Sequence, residues 1–171
     1  GIESSSNSGI PIDIDGSIAS ASSCVDGCIA SDSSCATAYV DGSYNIATKE
    51  FGYGVVMFHN GEELHMSKSF SDAEMASMRN VAGEIFGSMA AMEYAINHGI
   101  TNRSIYYDYM GISKWCTGEW KANKKGTIAY RDYYNKIKAK VNVQFEKVKG
   151  HSGDKYNDLA DMLAKKACGI D

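Results

Sequence analysis

The chain has 171 residues, of which 44% are hydrophobic and 11% aromatic, so it is long and apolar enough to bury the core of one domain. Its net charge of −4 argues against binding nucleic acid through overall charge alone, although a local basic surface stays open. No apolar run is long enough for a membrane span, and no signal-peptide pattern opens the chain. We therefore expect a reduced, cytoplasmic protein that does not enter a membrane.

Residues 1–35 differ in composition from the rest of the chain. They are rich in Ser, Gly, Asp and Ala and hold few large apolar residues, so they cannot offset the entropy of ordering. We predict a linker or flexible tail over 1–35 and one domain over 36–171. Cys24, Cys28 and Cys35 supply only three thiols, without a paired spacing or a nearby His, which favours an inert linker over a zinc site.

Three strands are predicted at the start of the domain. The segments ATAYVDGSY, FGYGVVMFH and EELHMSKSF are rich in β-branched and aromatic residues or alternate in polarity. Asn60 and Gly61 separate the second segment from the third and are typical of a tight hairpin turn. The three strands are therefore expected to form an antiparallel meander.

A long helix is predicted next, over NVAGEIFGSMAAMEYAINHG. Its apolar residues follow helical spacing, and Gly99 is suited to cap its end. The methionines of this stripe are interpreted as core rather than as a binding groove. The apolar residues of the stripe are Val81, Ile85, Met89, Met92 and Ile96.

The remaining elements alternate between strand and helix. SIYYDY predicts a fourth strand, ISKWCTGEWKANKKG a short helix with a basic loop, and TIAYRDYYNKIKAK a further helix. VNVQFEKVKG predicts a fifth strand and NDLADMLAKKA a closing helix. The order βββαβαβα predicts an α/β fold with a five-stranded mixed sheet flanked by helices.

Four acids are candidates for one functional site. Asp41 follows the first apolar strand, and Asp108 ends the fourth, where α/β sheets bind ligands. Glu84 lies beside the apolar stripe of the long helix, and Asp161 lies nearer the apolar arc of the last helix than Asp158, which reads better as a helix-start residue. Each acid alone has a structural explanation, such as a turn or a helix N-terminus. Together they predict a cluster that needs a cation, and carboxylates suit magnesium or manganese.

At these residues the sequence resembles the type I ribonuclease H family. The motifs are AYVDGSY, NVAGE, YYD and KGHSGDKYNDLAD, and the resemblance covers Ala36–Ile170. It implies the ribonuclease H-like fold in a bacterial type without a basic handle, with residues 36–171 as the catalytic domain. It also implies hydrolysis of the RNA strand of RNA–DNA hybrids, leaving 5′-phosphate and 3′-hydroxyl ends.

The resemblance also implies roles for the site residues. Asp41, Glu84, Asp108 and Asp161 would bind two Mg²⁺ ions, with Mn²⁺ as the substitute ion and Asp41 bridging the two. One ion would activate the attacking water and the other would stabilise the leaving 3′ oxygen. His151, between small residues in its loop, would assist proton transfer or product release.

Substrate contacts are expected from Ser43, Asn80 and Trp120. The family often has two adjacent Asn residues in the helix motif, whereas this chain has Asn80 followed by Val81. Trp120 would touch the DNA strand, although core burial of the tryptophans is an equal alternative. The other residues of this basic segment are Trp115, Lys121, Lys124 and Lys125.

An acidic chain without a handle is expected to bind hybrid modestly. We therefore expect an upstream hybrid-binding module in the full-length protein, tethered through the Ser-rich segment, and a monomer. Two alternatives stay open for the function itself. One is another nuclease of the ribonuclease H-like superfamily, and the other is a non-catalytic hybrid-binding domain.

Overall fold

The computed structural model describes residues 34–148 and 154–170, together with two short strands, Asp13–Ile14 and Ser17–Ile18, that pair in parallel. The main sheet contains β1 (Cys35–Tyr44), β2 (Phe51–His59), β3 (Glu62–Phe70), β4 (Asn102–Tyr107) and β5 (Asn142–Lys147). The helices are α1 (Ala73–Ala76), α2 (Asn80–Asn97), α3 (Gly111–Thr117), α4 (Lys125–Ile137) and α5 (Lys155–Ala167).

The five strands form one mixed sheet in the order β3-β2-β1-β4-β5. β1, β2 and β3 are antiparallel neighbours, while β4 pairs in parallel with both β1 and β5. The hairpin turn between β2 and β3 places Asn60 at φ 58° and Gly61 at φ 80°, as a tight hairpin turn requires. The predicted α/β fold and five-stranded mixed sheet are confirmed.

Helices cover both faces of the sheet. On one face α2 packs its predicted apolar stripe against β1 and β2, and Ile85 and Met92 are fully buried there, which confirms their core role. On the other face α5 packs against Tyr39 and Val56 through Ala160. The central strand β1 is therefore enclosed from both sides.

Capping residues define the ends of several helices, and two of these ends differ from the prediction. Gly99 has a φ of 69° just beyond α2, as predicted for a capping glycine. The short helix α1 was not predicted, and the Asp72 side chain caps it. α5 begins earlier than predicted, with Asp154 as its N-cap, so Asp158 lies in its first turn rather than at its start.

The predicted linker over 1–35 falls almost wholly outside the described residues, as do Cys24 and Cys28 of the weighed zinc site. Cys35 is the first residue of β1 and is disulfide-bonded, unlike the reduced state expected. Cys116 and Cys168 are free and buried. Within the part of the chain that the structure describes, no helix is long and apolar enough to cross a membrane.

Candidate active site

The central strands part where the predicted acids lie. The parallel ladder between β1 and β4 ends at the pair Tyr39 and Tyr106. Asp41 and Asp108 each come two residues later, so both carboxylates follow the point where the ladder opens. Such an opening at the carboxyl ends of strands is where α/β sheets bind ligands.

Glycines bring helix α2 against the sheet at this opening. A Cβ at Gly42 would overlap the Asn80 carbonyl oxygen and the Glu84 backbone nitrogen. A Cβ at Gly83 would overlap the carbonyl oxygen of Gly52 on β2. Because these positions lack side chains, the helix backbone touches the strands and carries Glu84 to the neighbourhood of Asp41.

A further glycine brings α5 to the opposite face. Gly54 is the cross-strand partner of Asp41, and a Cβ on it would overlap the Ala160 carbonyl oxygen and lie 2.7 Å from the Ala164 nitrogen. Asp161 is the next residue after Ala160, so this close approach places it beside Asp41. The sequence analysis missed these glycines, although glycine inside a strand is a known sign of close backbone approach.

Asp41 is the most perturbed acid of the cluster. Burial and the charge of Glu84 raise its pKa from 3.8 to about 8, against a 2.9 Å hydrogen bond that the Gly42 N–H donates to Asp41 Oδ1. Asp161 raises it further through its charge and through a hydrogen bond with the Asp41 side chain. Burial and the neighbouring negative charges therefore favour the protonated form of Asp41.

Glu84 fills the gap beyond the β1–β4 ladder. It is 2% exposed, and its Oε2 accepts hydrogen bonds from the backbone N–H groups of Asp108, at 2.8 Å, and Tyr109, at 3.2 Å. Burial raises its pKa to about 7, although those two hydrogen bonds oppose the rise. Glu84 therefore ties α2 to the end of β4 next to Asp108.

Two lysines pair with the outer acids of the cluster. Lys165 Nζ lies 3.0 Å from Asp161 Oδ2, and Lys147 Nζ lies 3.8 Å from Asp108 Oδ1. Lys147 also lowers the pKa of Glu84, which shows that its charge reaches the centre of the cluster. Sequence reasoning missed both lysines; the spacing of four between Asp161 and Lys165 was an available signal.

The four acids are thus linked in pairs, and their chemistry fits divalent cations. All the side-chain donors are carboxylate oxygens, which Mg²⁺ and Mn²⁺ prefer. The raised pKa values of Asp41 and Glu84 record like-charge repulsion and burial, which a bound cation would relieve. Among the described residues, no three His, Cys, Asp or Glu side chains already stand in a metal-holding arrangement.

The predicted substrate residues Ser43 and Asn80 border a shared cavity next to the acids. This cavity of about 370 Å³ is also lined by Asp161 and Lys165. Arg79, which the sequence analysis did not single out, lines it too, with a φ of 54° and its guanidinium 5.3 Å from the Tyr44 ring centroid.

Trp120 lies in an aromatic patch that includes Tyr109, the residue after Asp108. Its ring packs against Tyr109, at 5.9 Å between centroids, and against Trp115, at 6.1 Å. Trp115 is buried, whereas Trp120 is 37% exposed, so the core-burial alternative holds for Trp115 only. Lys121, Lys124 and Lys125 are exposed nearby in sequence. His151 lies outside the described residues, so its expected position is untested.

These features define a class: α/β proteins with an acidic site where two central strands of a five-stranded mixed sheet part. The family model RNase H matches residues 33–169. The chain is 30% identical to a ribonuclease H of Pseudoalteromonas translucida over 140 residues, covering 77% of this chain and 88% of that protein. It is 31% identical to a ribonuclease H of Francisella philomiragia over 138 residues, covering 76% and 88%.

Solved structures share the fold. RNase H1 from Halobacterium salinarum superposes with a TM-score of 0.64 at 21% identity, covering 78% of this chain and 97% of that one. LC11-RNase H1, solved in complex with an RNA/DNA hybrid, gives a TM-score of 0.60 at 18% identity, covering 77% and 98%. The chain belongs to the RNase H family, and its relatives named ribonuclease H support a nuclease enzyme.

Proposed function

We propose that this protein is an endonuclease that hydrolyses the RNA strand of RNA–DNA hybrids, leaving 5′-phosphate and 3′-hydroxyl ends. The observation that carries the proposal is pairwise: the charges of Glu84 and Asp161 reach Asp41, and the charge of Asp108 reaches Glu84, beside the strand opening. Family membership and the hybrid-bound structural neighbour support the same substrate.

In this proposal the four carboxylates hold two Mg²⁺ ions, or Mn²⁺ in their place. When bound, such ions activate a water and stabilise the leaving oxygen of an in-line displacement. Asp41 stands centrally, since it interacts with both Glu84 and Asp161. Glu84 holds the chain after β4 by accepting hydrogen bonds from two backbone N–H groups, one of which belongs to Asp108.

The nucleic acid would lie across the cavity and the aromatic patch. Ser43 and Asn80 border the cavity and are proposed to contact the RNA strand, where a 2′-hydroxyl distinguishes RNA from DNA. Trp120 presents an exposed ring on which the DNA strand could stack. His151 is proposed to assist proton transfer or product release from its loop.

The remaining expectations are proposals about the whole protein. We propose a monomer in which residues 1–35 form a linker and 36–171 the catalytic domain, with an upstream module that adds hybrid affinity. We also propose a cytoplasmic location. The disulfide at Cys35 counts against this location, because structural disulfides are rare in the cytoplasm. Cys35 found oxidised in intact cells would argue against the cytoplasm.

The test uses a hybrid labelled on each strand in turn, incubated with and without MgCl₂. We expect cleavage of the RNA strand alone, only with the metal, and products that phosphatase converts from 5′-phosphate to 5′-hydroxyl ends. Asp41→Asn should bind hybrid but not cleave it. Binding without cleavage by the unmodified chain would instead favour the non-catalytic alternative, and cleavage of both strands would favour another superfamily nuclease.

A further inference from the structure

Two lysines occupy positions beside the acid cluster that the proposed chemistry does not use. Lys165 pairs with Asp161 at 3.0 Å and Lys147 pairs with Asp108 at 3.8 Å. Both carboxylates are partly exposed, at 26% for the Asp161 side chain and 39% for the Asp108 side chain.

Secondary structure places both ammonium groups. Lys165 stands one helical turn after Asp161 on α5, and an acid four residues before a lysine is the favourable order for a helical ion pair. Lys147 is the last residue of β5, next to the β4 strand that Asp108 follows, and its Nζ also donates a 2.7 Å hydrogen bond to the Val148 carbonyl.

Building on the proposed function, we propose that Lys165 and Lys147 are internal counter-cations that compete with divalent metal ions for Asp161 and Asp108. Without metal, the ammonium groups offset the repulsion between the clustered acids. A metal ion must then displace them from the carboxylate oxygens it binds. Both lysine side chains can leave, since 46% and 40% of their surfaces are exposed.

Competition of this kind sets the metal concentration at which the site fills. Half-exposed ion pairs are modest in strength, so removing one is expected to tighten metal binding by about twofold to fivefold. Once displaced, Lys165 remains on the border of the cavity with Ser43 and Asn80, where a nucleic-acid phosphate would meet its charge.

The experiment measures Mn²⁺ and Mg²⁺ binding to the full chain by isothermal titration calorimetry after removal of metal with EDTA. Lys165→Gln and Lys147→Gln are compared with Lys166→Gln and Lys140→Gln, which remove the same charge from exposed neighbours on α5 and before β5. We expect dissociation constants two- to fivefold lower for the first two variants than for their controls. Circular dichroism checks that each variant is folded.

A conservative variant distinguishes competition with the metal from a role in which Lys165 only positions Asp161. Lys165→Arg keeps the charge and the pairing with Asp161, so it should bind metal as the unmodified chain does. Equal affinities for Lys165→Gln and Lys166→Gln would overturn the inference, as would weaker binding by Lys165→Gln. The unmodified chain distinguishes the two failures. If it neither binds metal nor cleaves hybrid, the proposed function fails; if it does both but the lysine variants bind metal no more tightly than their controls, only the competition fails.

Discussion

Replacing Asp41 with Asn is expected to stabilise the metal-free protein while removing its cleavage activity. Burial raises the pKa of Asp41 to about 8, and the charges of Glu84 and Asp161 contribute to the rise. Asn has the same shape, can still accept the hydrogen bond of the Gly42 N–H, and carries no charge. The substitution therefore removes the repulsion and leaves the packing unchanged.

The sign of the pH dependence follows from the raised pKa. Between pH 4 and 8 the folded state holds a proton on Asp41 that the unfolded state has lost, so stability falls as the pH rises through this window. Taken in full, this rise in the pKa of Asp41 would lower the free energy of unfolding by about 4 kcal/mol at pH 7. Because the carboxyl is only partly buried and its neighbours share the proton, we expect an advantage of about 1–2 kcal/mol for Asp41→Asn.

Urea unfolding followed by circular dichroism in EDTA measures this advantage at several pH values. The difference between Asp41→Asn and the unmodified chain should grow from pH 4.5 to 8 and shrink when Mg²⁺ is added, since a bound cation relieves the same repulsion. Asp158→Asn removes an exposed acid from α5 and is the control, because its stability difference from the unmodified chain should not grow with pH. A variant less stable than the unmodified chain at pH 8, or a difference independent of pH, would refute the electrostatic account.

Three further substitutions test other parts of the structure. Gly54→Ala should push Ala160 and its helix away from the sheet and lower the cleavage rate at least tenfold, measured on labelled hybrid, whereas Ser67→Ala, its exposed cross-strand neighbour, should not. Arg103→Met should stabilise the protein in urea by about 1–3 kcal/mol at pH 7, because the guanidinium is fully buried with one nitrogen unpartnered. Burial lowers the pKa of Arg103 to about 9, so the advantage should lessen as the pH rises above 9. Trp120→Ala should weaken hybrid binding about tenfold at constant salt, measured by fluorescence anisotropy, and leave stability nearly unchanged.

All five strands and the helices α2, α3, α4 and α5 were predicted from the sequence. The clearest signals were the alternating or β-branched runs of β1, β2 and β3 and the helical spacing of α2, because each of these elements buries one face. The exceptions have local causes. α1 is a single turn with Asp72 as its N-cap, so it is too short to give a periodic signal. Asp154, the N-cap of α5, lies in the segment that was interpreted as a functional loop, so its capping role was not predicted.

The four acids could be named from the sequence as candidates for one site, but their electrostatics could not be predicted. They were named for their joint placement on the first strand, the long helix, the fourth strand and the last helix, and their role as a metal site stays a prediction. Their pKa values could not, since those depend on how deeply Glu84 is buried and on which carboxyl groups share a proton. The pairings of Lys147 and Arg103 also depend on neighbours distant in sequence.

The geometry of the cluster follows from where the ladder between β1 and β4 stops. Beyond Tyr39 and Tyr106 the two strands no longer hydrogen-bond to each other, so the backbone N–H groups after β4 need another acceptor. Glu84 supplies it, and this ties a buried carboxylate to the same gap that Asp41 and Asp108 border. An acid in this gap satisfies the backbone and at the same time concentrates negative charge.

Glu84→Gln would keep one acceptor oxygen for those N–H groups but lose the charge, so it should preserve the fold and its stability while abolishing divalent-metal binding measured by calorimetry. A loss of stability without a loss of metal binding would show that Glu84 is a structural acceptor only.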